Sequence, residues 1–104
     1  MKEDNNLNII KKVIREIVPN SQMILFGSRS RGEASFNSDY DILISVKHNL
    51  DFEEKRSLGR IIRKRLALIG IDVDIIVKTE NDVEYYKDKI GSIVREALKE
   101  GLSI

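Results

Sequence analysis

The sequence predicts a small α/β (α+β) domain, a mixed β-sheet with helices packed on one face. Three observations predict it. The apolar pattern runs helix, strand, strand, helix, strand, helix along the chain. The length, 104 residues, suits one domain with a real core and leaves little room for a second lobe. The apolar fraction, 41%, is ordinary for a globular protein, and neither a repeat nor a low-complexity segment interrupts it.

Residues 6–18 read as an amphipathic helix. Leu7, Ile10, Val13, Ile14 and Ile17 recur at the helical period, while Lys11, Lys12, Arg15 and Glu16 face out. Pro19 and Asn20 end it. Met23 to Phe26 is a short buried strand, and a second strand starts near Asp39 and continues through Ile42, Leu43, Ile44 and Val46. His48, Asn49 and Asp51 make a turn and a helix cap.

Residues 52–69 form the longest helix, with Leu58, Ile61, Ile62, Leu66 and Ile69 inward, Arg65 at the margin and Gly70 as its stop. Its six cations, Lys55, Arg56, Arg60, Arg63, Lys64 and Arg65, make either a solvated face or a docking surface for an acidic partner or for RNA. Ile71 to Val77 is dense in β-branched residues and reads as a third strand. Residues 82–100 are helical, through Val83, Tyr86, Ile90, Ile93, Val94, Ala97 and Leu98, although Gly91 weakens that helix. Of Tyr85 and Tyr86, one is expected to pack and one to be exposed.

Composition narrows the function. Net charge is +1, which argues neither for nor against nucleic acid, and direct nucleic-acid binding is not expected. Cysteine is absent, so disulfides, thiolate catalysis and Cys-ligated zinc are excluded, in keeping with a reducing cytoplasm. No apolar run approaches the roughly 20 residues of a membrane span. The N-terminal MKEDNNLN carries acids and amides where a signal peptide needs apolar residues.

The chemistry concentrates in MILFGSRSRGEASFNSDYDILISV. A strand ends in Gly27-Ser28, ten residues follow, and a second strand carries Asp39 and Asp41. Strand side chains alternate, so the two carboxylates share a face with Cα atoms about 7 Å apart. So placed, they can share a divalent cation or hold two about 4 Å apart. Gly27 offers bare backbone to a phosphate, and Ser28 offers a hydroxyl at the start of a short helix. Arg29 and Arg31 add cations for charge-assisted contacts or stand as solvated loop charges. Alone, Gly-Ser would be a strand-ending turn; the acids downstream turn the reading towards metal-assisted chemistry on a nucleoside triphosphate.

A further acidic pair, Asp72 and Asp74, shares one face of the third strand. Acids in an apolar strand need compensating charge, which Mg²⁺ would supply. Beside the Asp39 strand, one of them completes a three-carboxylate cluster and can accept a proton from an attacking hydroxyl. Asp74, flanked by apolar residues on both sides, is preferred over Asp72 near the strand's start. Tyr40 alternates away from the acids and belongs to the core. Ser30 and Glu33 fit a capping box, Phe36 either touches a nucleotide or packs the loop, and Ser38 caps it.

Gly-Ser, ten residues, Asp-x-Asp and a later Asp in an apolar strand resemble the nucleotidyltransferase superfamily typified by DNA polymerase β. Within it, GSRSRGEASFNSDYDILI looks like the minimal nucleotidyltransferases often encoded beside a HEPN-domain protein. The likeness covers nearly the whole chain. It implies that Asp39 and Asp41 coordinate two Mg²⁺ ions and that Asp74 joins one of them and acts as base or base-orienter. It implies that Gly27 and Ser28 hold the phosphates of ATP. The implied reaction is attack of a hydroxyl on the α-phosphorus, with pyrophosphate leaving. The resemblance also implies an antitoxin in hetero-oligomeric complex with a HEPN ribonuclease toxin, some members transferring AMP to a tyrosine on it. A different function fits the same chain: a binding module that neutralises its partner by occlusion without turnover.

Overall fold

The computed structural model describes residues 5–27, 29–30 and 39–104. The chain runs α1 (Asn5–Ile17), β1 (Gln22–Phe26), β2 (Tyr40–Val46), α2 (Phe52–Ala67), β3 (Val73–Thr79), α3 (Glu80–Tyr86), α4 (Ile93–Glu100) and β4 (Leu102–Ser103). The strands form one mixed sheet in the order β3-β2-β1-β4. β1 is antiparallel to β2 and to β4, and β2 is parallel to β3. The parallel pair needs a crossover, and α2 supplies it.

Alternation along the strands divides the core between two faces. Met23, Leu25, Ile42, Ile44, Ile75 and Val77 point to one face, where Ile10, Val13 and Ile14 of α1 and Ile62 and Leu66 of α2 close over them. The expected helical layer is this one. On the other face Ile24, Phe26, Leu43 and Ile76 meet Ile93 and Ala97, so α4 adds a second, smaller layer. Asp41 and Asp74 belong to this second face, beyond the cover of α4's apolar contacts. No helix among the described residues is long and apolar enough to cross a membrane.

Helix ends explain most boundaries. Asp51 accepts from the Glu54 N–H at 2.8 Å while the Glu54 side chain accepts from the Asp51 N–H, a capping box that starts α2. The end of α2 carries a Schellman-type pair. Ile71 N–H donates to Leu66 O and Gly70 N–H to Ala67 O, with Gly70 at φ +80. Those bonds hold Ile71 in the helix stop, so the third strand begins at Val73 rather than Ile71. Ile71 is buried nevertheless, packed with Leu66 in the same core.

Two further expectations change. Ile61 and Ile69 are 54% and 55% exposed, so the inner side of α2 is Gly59, Ile62 and Leu66 with Leu58 at its margin. The helix expected over 82–100 is two helices separated by a turn. Gly91 adopts φ +86, and Ser92 restarts the chain as N-cap of α4, accepting from the Arg95 N–H at 3.0 Å. Ile90, in that turn, is 91% exposed. Tyr85 and Tyr86 are both exposed and stack edge to face on each other.

Thr79 caps α3, with Asp82 closing the reciprocal bond. Burial alone would push the Asp82 carboxyl upward. The Lys55 ammonium at 2.8 Å and the Thr79 hydrogen bonds outweigh it and hold the group below its ordinary value. A carboxylate depressed on folding contributes stability above its unfolded pKa, near 4, and loses it as pH falls through the folded pKa. Asp82→Asn is therefore expected to cost about 1 kcal/mol at neutral pH. Thermal melts should show the gap from wild type closing as pH falls towards 3. A gap independent of pH would remove the charge from the account.

Candidate active site

Three strands bring the site together at one end of the sheet. Phe26 is the register partner of Asp41, and Asp41 is the partner of Asp74. In register, side chains on neighbouring strands share a face, so Asp41 and Asp74 stand side by side across about 4.8 Å of sheet. Asp39 lies two residues before Asp41 and is exposed, as is Asp74, while Asp41 is half-buried. The structure thus brings the expected third carboxylate beside the Asp-x-Asp strand. Asp72 precedes β3 and is exposed; its C=O accepts from the Tyr40 N–H at 3.4 Å.

Gly27 is where the phosphate-loop reading meets the acids. It follows β1 with φ +74, a conformation that favours glycine. A Cβ there would collide with Asp41 Oδ2, so the bare backbone is what lets the carboxylate settle against the turn. Ser30 closes that turn: its N–H and its hydroxyl both donate to Gly27 O, at 3.2 and 2.8 Å. The hydroxyl has one proton, so Glu100 O at 3.5 Å is a neighbour rather than a second acceptor. Ser30 thus acts inside the turn, while Glu33, its expected capping partner, lies outside the described residues. So do Ser28, Arg31, Phe36 and Ser38.

Tyr40 is buried, as expected, and Arg29 lies over its ring with the guanidinium carbon 3.9 Å from the centroid. That stack ties the turn after β1 to the strand that carries the acids. The sequence offered one unread signal for it, an arginine two residues after the glycine turn and an aromatic between two aspartates.

Aspartate oxygens are hard donors suited to Mg²⁺, and the set Asp39, Asp41, Asp74 fits such an ion in charge and type. As placed, no three acidic or histidine side chains among the described residues converge on one point. Asp41 instead leans on Gly27.

The nucleotidyltransferase domain family model matches residues 7–103. A protein adenylyltransferase MntA of Thermococcus cleftensis is 40% identical over 72 residues, which are 66% of this chain and 67% of that protein. Among solved structures, a toxin–antitoxin crystal structure with AMP-PNP is similar at TM-score 0.61 and 26% identity, covering 96% of this chain and 72% of that one. A tri-AMPylated Shewanella oneidensis HEPN toxin in complex with MNT antitoxin is similar at TM-score 0.55 and 24% identity, over 94% of this chain and 67% of that one, a likeness of fold. With its strands, glycine turn and acids inside the matched residues 7–103, this chain belongs to the nucleotidyltransferase domain family.

Proposed function

We propose that this chain transfers AMP from ATP to a hydroxyl, a tyrosine's by the family resemblance, on a partner HEPN toxin and so acts as its antitoxin. The observation that carries the reading is the Asp41 carboxylate seated against Gly27 with Asp74 in register beside it. A turn suited to phosphate and a row of acids suited to cations adjoin at one end of the sheet. The relatives named protein adenylyltransferase and the toxin–antitoxin structure with AMP-PNP support the donor and the kind of acceptor.

In this reading Gly27 and Ser28 bind the β- and γ-phosphates through backbone N–H groups and the serine hydroxyl. Arg31 adds a cation to them. Arg29 contributes charge from its seat on Tyr40. Asp39, Asp41 and Asp74 hold Mg²⁺, which when bound neutralises charge on the attacking and leaving oxygens. Asp74 also takes the proton of the acceptor hydroxyl. The hydroxyl oxygen forms a bond to the α-phosphorus, the bond to the bridging oxygen breaks, and pyrophosphate carries away the electron pair. The similar structures are toxin–antitoxin complexes, which supports a hetero-oligomer as the working unit, with the acceptor hydroxyl on the partner. The cytoplasm, which supplies ATP and tolerates a chain without cysteine, is the compartment this reading asks for.

The test is label transfer from ATP labelled at the α-phosphate, with Mg²⁺ and the protein of the adjacent gene. Label on the partner supports the reading. A partner bound and inhibited but unlabelled would overturn it in favour of occlusion.

A further inference from the structure

Nucleotidyl transfer makes no use of the groove between α2 and the outer edge of β3. It encloses about 300 Å³ and is lined by Phe52, Arg56, Arg60, Arg63 and Lys78 along with backbone of β3. It opens at the outer edge and the α2 side of β3, whereas Asp74 lies on the opposite face.

Two independent features meet there. The first is an open strand edge. The sheet order leaves β3 outermost, and no strand among the described residues pairs with its outer side. The Asp72 C=O faces β2, where it accepts from the Tyr40 N–H. By alternation, the backbone groups of Ile75 and Val77 face outward. Arg63 Nη1 reaches Ile75 O at 3.3 Å, as that alternation requires. Gly59 of α2 lies beside this edge, where a Cβ would be 3.6 Å from Ile75 O, and has no side chain to cover it. The second feature is charge. Lys55 is neutralised by Asp82 at 2.8 Å, and Arg56 reaches Glu53 only at 4.0 Å. Among the described residues no acid pairs with Arg60, Arg63 or Lys78. One charge is enough to discourage edge pairing. A row of cations along the groove, ending in an exposed Phe52, exceeds that need.

We propose that this groove docks an acidic, extended segment of a protein partner. The segment adds as a strand to β3, bonding to the backbone of Ile75 and Val77, and the carboxylates on its α2 side meet Arg56, Arg60 and Arg63. Nucleic acid would satisfy the cations. It does not match the alternating donors and acceptors of an edge strand, which a peptide backbone does. The proposal stands apart from adenylyl transfer, since none of these residues belongs to the acid row.

The probe is a labelled peptide of about ten residues alternating Glu with Val or Thr, long enough for one strand. It is compared by fluorescence anisotropy with a Lys counterpart and a single-stranded RNA. Amide hydrogen exchange of the full chain is read in parallel. The acidic peptide is expected to bind alone, to slow exchange at Ile75 and Val77, and to weaken with salt. Arg60→Glu/Arg63→Glu should weaken it at least about tenfold. Arg56→Glu/Arg60→Glu spares the Arg63 bond to the strand and should do the same. Absence of acidic-peptide binding, preference for RNA, or binding that ignores both charge reversals would overturn the proposal.

Discussion

Asp39→Asn/Asp41→Asn is expected to lower AMP transfer by about 10³-fold or more, the scale of removing electrostatic stabilisation from a transferring phosphoryl group. Asparagine keeps the size and polarity of each side chain and removes the charge that holds the cations. Stability should change little. Asp39 is exposed, Asp41 is half-buried, and like charges on one sheet end do not stabilise it. Asp74→Asn should fall with the pair, because its register with Asp41 puts it on the same face of the next strand. Asp72→Asn should stay within a few-fold of wild type, since its hydrogen bond to the Tyr40 N–H uses the backbone carbonyl, which the substitution keeps. Single-turnover transfer and thermal melts on all three read the outcome. Transfer that survives in the double variant, or an Asp72→Asn loss as deep as that of Asp74→Asn, would displace the acid row from the chemistry.

The acid row was legible because it depends on short-range rules. A two-residue strand period places Asp39 and Asp41 together, and apolar neighbours mark the strand that carries Asp74. Helix caps were equally legible at Asp51 and Gly70, where side-chain chemistry and a positive φ act locally. The failures share one cause, tertiary context. Ile71 has strand composition, yet the helix stop claims its N–H and the core claims its side chain. Ile90 fits a helical stripe, but Gly91 and Ser92 break the helix and turn it outward. Ile61 fits the stripe of α2 and Ile69 continues its spacing past Ala67, but both side chains stay exposed. β4, two residues long, is too short to carry a pattern, and exists because Ile24 and Leu25 offer it an edge. The seat of Asp41 on Gly27 was likewise beyond sequence reading. It needs the antiparallel register of β1 and β2, which no local rule supplies.

That seat gives the second large expectation. Gly27→Ala should lower transfer by about 100-fold or more, the scale on which small misplacements of reacting groups act. It should also lower the melting temperature by roughly 5–10 °C, as expected for about 1–2 kcal/mol in a domain this small. Two effects are combined in the substitution. Alanine is strained at φ +74, and its Cβ drives into Asp41 Oδ2. Gly70→Ala separates them. Gly70 has φ +80, but a Cβ there meets nothing within 4 Å. It should cost similar stability and leave transfer near wild type. If Gly70→Ala instead impairs transfer as much as Gly27→Ala, general destabilisation explains both. If neither does, the contact between Gly27 and Asp41 has no part in catalysis. A deep loss at Gly27 alone, absent when Asp41 is already Asn, would locate the damage in the carboxylate that the turn positions. The coupling is decisive because residues acting as one unit are non-additive, whereas two separate sources of loss would multiply.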